Sequence, residues 1–186
     1  MLQARIAIIA AVGVAVAAAA IAFAVMYFTP ALQIVQGGAA SDSSISAVAG
    51  SGLPGYNHTI VTIGGVQILA DIADTNDKKT KGLDVRDNMT ETEGMLFPFD
   101  VDYPHAFWMN GMKFPLDIIW LDSNKTVVHI EHSLPPCPNQ FDCPNHQPDK
   151  NARYVLETVA GFSERHDVKD GTQAQFNLPA EKESTN

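Results

Sequence analysis

The chain has only two cysteines, Cys137 and Cys143, and no Cys-x-x-Cys pair, so the usual motif of a dithiol redox centre is missing. No Gly-x-Ser-x-Gly elbow surrounds Ser123, Ser133 or Ser163, and no strand-to-helix glycine loop for phosphates or dinucleotides is present. Common hydrolase and nucleotide-dependent classes lose their signatures with these absences. Basic residues are scarce: 12 Lys and Arg stand against 21 Asp and Glu, and no charged side chain occurs between Arg5 and Asp42. Beyond residue 28 the count is 11 basic against 21 acidic, a formal charge of −10. Such a surface repels phosphate backbones and anionic headgroups, so nucleic acid is not expected as a partner, while cations or a basic protein face would be attracted.

What the N-terminal part does contain is hydrocarbon. Ile6 to Phe28 is an uncharged run of 23 residues, which spans about 35 Å as a helix, enough to cross a bilayer. It is longer than a signal-peptide core and leads into a membrane anchor over 6–28; cleavage near Gly37 to Ser41 is the alternative. Arg5 is the only charge before the run, so residues 1–5 are assigned to the cytoplasm and the rest of the chain to the outer side of the cell membrane. Residues 29–55, Gly/Ala/Ser-rich from Gly37 onward, read as a flexible tether spanning roughly 25 Å, followed by a domain over 56–180 and a polar tail over 181–186. Sequons at Asn57, Asn88 and Asn124 are compatible with glycosylation on that side.

Within the domain, Thr59 to Ile63 and Val66 to Ile72 alternate around Gly64-Gly65, which predicts a hairpin. Asp74 to Lys81 reads as a short helix capped by Asp74 or Thr75 and stopped by Gly82. Strands are expected over 95–99, 105–109, 116–122, 126–131, 153–159 and 173–178, with a tight turn at Ser123-Asn124. The segment Leu116 to Leu121 is apolar on both faces except at Asp117, as in an interior strand. The expected class is mainly β: a compact sandwich or partly open barrel with one or two short helices, preceded by one transmembrane helix.

Five motifs occur in succession: Gly82-Leu83 with Arg86; Gly94-Met95-Leu96-Phe97; Phe107-Trp108-Met109; Pro115-Leu116-Asp117-Ile118-Ile119; and Tyr154-Val155-Leu156-Glu157 with Ala160-Gly161. In this order they resemble the domain of unknown function 192 family over about 110 residues. The resemblance implies a compact, mainly β domain, often exported, without a settled activity. Where that family commonly continues Lys-Asn-Thr after Phe-Trp-Met, this chain has Asn110-Gly111-Met112, which puts any shared ligand role of those positions in doubt.

Cys137 and Cys143, with five residues between them in a Pro-rich stretch, read as a disulfide pinning a loop outside the cell. A zinc or copper site using both thiolates with His146, His132 or His129 is the alternative. A second metal reading places Cu(I) on His105, Met109 and Met112, with Met95 nearby; against it, Met is the usual filler of cores. Asp117 in its apolar run needs a partner, for which Arg86 and His105 are the candidates; it is either a buried structural link or a carboxylate at the floor of a pocket.

The leading functional reading is a non-enzymatic accessory module that binds a ligand or a membrane or cell-surface protein through Phe107, Trp108, Met109, Asn110, Asp117 and Arg86, with no cofactor. A copper- or zinc-handling domain, and an envelope hydrolase built on Asp117 with His105 and Arg86, are the alternatives.

Overall fold

The computed structural model describes residues 52–137 and 140–179. All of them belong to one of the two units into which the chain divides, Ala40–Asn186. The expected cytoplasmic N-terminus, anchor, most of the tether and the tail lie outside the described residues, among which no helix is long and apolar enough to cross a membrane. In chain order the elements are β1 (Asn57–Ile63), β2 (Val66–Ile72), α1 (Asn76–Lys81), β3 (Glu93–Tyr103), β4 (Phe107–Trp108), β5 (Leu116–Leu121), β6 (Val127–Leu134), β7 (Asn145–His146), β8 (Ala152–Val159) and α2 (Phe162–Arg165). Six strands form one sheet in the order β1-β2-β3-β8-β5-β6, and β4 with β7 makes a separate two-stranded ribbon.

Local chemistry accounts for the joints. Gly64 and Gly65 have φ of 56° and 77°, the left-handed pair that a two-residue hairpin requires, and Ile63 sits opposite Val66 across it. Because β2 and β3 are parallel, the chain must cross between them, and it does so through α1 and a 3-10 turn over Gly82–Val85. Thr75 caps α1 by accepting from the Lys78 amide, and Gly82 at φ 50° ends it. At the β5–β6 turn, Asp122 accepts from the amides of Asn124 (2.8 Å) and Thr126 (2.9 Å) and sets Lys125 into the left-handed region.

Both faces of the sheet are covered, which explains why β5 is buried at every position instead of alternating. One face carries Val61, Ile68, Leu96, Ile119 and Leu156 beneath Phe162, Val168 and Phe176 of the C-terminal stretch. The other carries Met95, Phe97, Ile118, Trp120 and Val155, with Leu83, Met109 and the ribbon residue Phe107 packed against them. Each large side chain so buried contributes about 1.5–3 kcal/mol.

The mainly β class holds, with six strands in one sheet and two in a ribbon. Two expected strands differ. Residues 173–178 form only isolated bridges, Thr62 with Gln175 and Thr126 with Gln173. The stretch reaches from one edge of the sheet to the turn at the other, so neither side offers it a continuous ladder. The expected strand 105–109 shortens to Phe107–Trp108 because its partner β7 is only two residues long. Leu53, counted with the tether in the sequence, packs on the core and donates its amide to Asp71 (2.9 Å).

Candidate functional site

The ribbon sorts its side chains by alternation. Phe107 turns inward, its ring 5.0 Å from Phe97 and 5.9 Å from Trp120, both edge to face. Met109 is fully buried, whereas Trp108 between them is 46 % exposed. Asn110 is half-buried at the turn that follows, where Gly111 has φ 78° and lies so close to Asp84 that a Cβ would come within 3.1 Å of its carboxyl carbon. Cys137 and Cys143 form the expected disulfide, with Cα atoms 5.3 Å apart, and the Cys137 amide donates to the Met109 carbonyl (3.3 Å). Phe141, inside the bridged loop, is 89 % exposed. Trp108 and Phe141 thus project from one ribbon-and-loop element whose other side is anchored in the core.

Asp117 and Arg86 do not join this surface. Asp117 is fully buried on the opposite face, where its carboxyl oxygens accept from the amides of Ser133 (2.8 Å), Gly161 (2.9 Å) and Ser163 (2.8 Å). It ties the end of β6 to the start of α2. The partners expected for it, Arg86 and His105, are elsewhere. Three backbone N–H groups satisfy an acceptor as well as a cation does, and backbone donors carry no mark in a sequence.

Arg86 lies between Asp71 (2.6 Å) and Glu93 (3.1 Å), all three buried. Burial alone would raise the pKa of Glu93; the amide and hydroxyl of Thr90 and the Arg86 guanidinium outweigh it and hold the carboxyl below its ordinary value. His58 approaches the same cluster, its Nε2 3.0 Å from Asp71 Oδ1 without forming a hydrogen bond, so charge links them when the imidazole is protonated.

His105 stacks on Phe99 with ring centroids 3.5 Å apart, while Lys79 covers Phe99 at 4.6 Å. Its Nε2 lies 3.2 Å from the Val101 carbonyl, and burial lowers its pKa against the raising effect of that contact. Met95 and Met109 are core side chains, and Met112 packs against the same cluster. With both sulfurs in the disulfide, the zinc reading loses its thiolates. Among the described residues no group of three or more His, Cys, Asp or Glu is placed to hold a metal; His129 and His146 approach Glu131 at 3.3 and 3.8 Å, contacts that are ionic only when the imidazoles are protonated. The hydrolase constellation of Asp117, His105 and Arg86 is likewise not assembled.

One buried acid escaped the sequence reading. Glu157 on β8 is 4 % exposed, lies between Met95 and Ile118 in register, and has an Oε2 without a hydrogen-bond partner among the described residues. Burial pushes its pKa up to about 8, so it is mostly protonated at neutral pH. A lone Glu in Val155-Leu156-Glu157-Thr158-Val159 was the available signal. Among the sequon positions, Asn57 donates to Asp74 (2.9 Å), and Asn88 and Asn124 are exposed.

These features sit in a recognisable frame. The family model of DUF192, described as an uncharacterised ACR, matches residues 59–176. The chain belongs to this family. A UPF0127 protein from Thermococcus gammatolerans is 26 % identical over 115 residues, 62 % of this chain and 71 % of the relative. A solved protein of unknown function from Novosphingobium aromaticivorans is similar with a TM-score of 0.60 and 25 % identity, over 73 % of this chain and 98 % of that one. A Sinorhizobium meliloti structure, described as a candidate transcription regulator, shares the fold with a TM-score of 0.58 and 24 % identity, over 65 % of this chain and 95 % of that one.

Proposed function

We propose that the protein is a membrane-anchored binding module held outside the cell, which engages a partner protein through the surface formed by Trp108 and the disulfide-bridged loop. The observation that carries this reading is Trp108, 46 % exposed on a ribbon whose flanking residues Phe107 and Met109 turn into the core. An outward Trp on a braced strand offers a large apolar contact with little conformational entropy to lose, as interface hot spots do. Asn110 beside it supplies orientation. The uncharged run over 6–28, the basic residue before it and the disulfide all favour an outer-side location.

A photo-crosslinking residue at position 108 in native membranes tests the idea against one at the exposed position 169. A discrete adduct at 108 that is absent at 169 is the expected result; no adduct at 108, or equal labelling at both positions, counts against it.

A further inference from the structure

A groove of about 840 Å³ lies between the start of β1, the β5–β6 turn and the C-terminal stretch, and it shares no residue with the Trp108 surface. That volume is within the roughly 300–1,000 Å³ of small-molecule clefts. Its lining contains neither Asp nor Glu, although the chain carries 21 of them and a net charge of −9. The ionisable side chains that do line it are His58 and Lys125. On an acidic protein a cleft without carboxylates is a local exception, and it sets the sign of the charge that can enter.

Lys125 is held there by construction. The Asp122 carboxyl spans the turn and fixes Lys125 at φ 63°, and the Lys125 carbonyl accepts from the Ala174 amide (2.9 Å). Its ammonium donates to the Phe176 carbonyl (2.6 Å) and lies 4.6 Å over the Phe176 ring. It has no carboxylate partner among the described residues, unlike Lys78, Lys113, Lys150 and Lys169. His58 lines the groove from β1, with its Nε2 buried 3.0 Å from Asp71 and turned away from any ligand. Around the Lys125 ammonium stand the side-chain amides of Asn124, Gln175 and Asn177, exposed and without hydrogen bonds among the described residues. Amides take hydroxyls as donors or acceptors, and an ammonium on a short leash takes an anion.

We propose that this groove binds a small hydroxylated carboxylate of the sugar-acid class, its carboxylate facing Lys125 and its hydroxyls meeting Asn124, Gln175 and Asn177. The proposal stands apart from the Trp108 reading and would survive its failure. Isothermal titration of the full-length protein in detergent with glucuronate, and with glucose as the uncharged match, tests it. Saturable binding of glucuronate is expected without measurable binding of glucose. Lys125→Met should weaken glucuronate at least tenfold in protein that a thermal melt shows to be folded. Because that variant alters a strained turn, the double variant Gln175→Ala with Asn177→Ala, both exposed, serves as a second arm and should weaken it several-fold. The absence of saturable glucuronate binding, equal binding of glucose, or full affinity in folded Lys125→Met overturns the proposal.

Discussion

Asp117 and Glu157 are buried on opposite faces of the sheet, one register position apart between β5 and β8, and are housed differently. On the face beneath α2, Asp117 meets three backbone N–H groups, supplied by the first turn of that helix and by Ser133 at φ 50°. On the ribbon face, Glu157 meets the side chains of neighbouring strands and has a partnerless oxygen, so its proton stays on until about pH 8. Equal depth therefore gives unequal chemistry. What decides the outcome is whether backbone has been bent toward the group, which requires turns and helix ends, and the ribbon face has only strand there.

Removing the donors' target should break the contrast most strongly. Asp117→Ala leaves three N–H groups without their acceptor, that of Ser163 buried and those of Ser133 and Gly161 partly so; at about 1–3 kcal/mol for a buried donor and less for the other two, a loss of about 2–4 kcal/mol in urea unfolding, or failure to accumulate folded protein, is expected. Asp117→Asn restores one acceptor oxygen but brings an NH2 against the donors; it should be intermediate.

The sign for Glu157 runs the other way with pH. Below about 4.5, the ordinary value, its carboxyl is protonated in the folded and the unfolded chain and its contribution is intact. As pH rises from there to about 8 the unfolded chain gives up the proton first, and stability falls by about 1.4 kcal/mol per unit at the steepest. Glu157→Gln removes that slope. Urea midpoints at pH 5 and pH 8.5 should converge for the variant relative to the parent, and an unchanged gap would show that Glu157 is not the source.

The disulfide lies outside both sites and sharpens the comparison as a control on the ribbon. A loop this short loses about 2 kcal/mol of chain-entropy stabilisation when Cys137 and Cys143 are both replaced by Ser, without change in the pH slope. Smallest of all is Trp108→Ala, where an outward side chain leaves no cavity: less than about 0.5 kcal/mol by thermal melt. A loss of several kcal/mol would return Trp108 to the core.

The sequence disclosed what local patterns encode. Gly64-Gly65 announced its hairpin, the apolar run of β5 its interior place, and Cys137 with Cys143 their bond. Asp117 was recognisable as a buried acid needing partners. Those partners were not, because amides from Ser133, Gly161 and Ser163 look like any others until the chain is folded. The pairing of Arg86 with Asp71 and Glu93 across three elements is equally silent in one dimension. Residues 173–178 were misread for a related reason: their alternation is real, but a bridge between two edges and a strand share it.

That bridge has a consequence for biogenesis. Gln175 exchanges both backbone hydrogen bonds with Thr62, and Ala174 donates to Lys125, so this stretch joins regions made long before it. A chain delivered N-terminus first, through a ribosome or a translocation pore, cannot lock this domain until residue 175 has emerged.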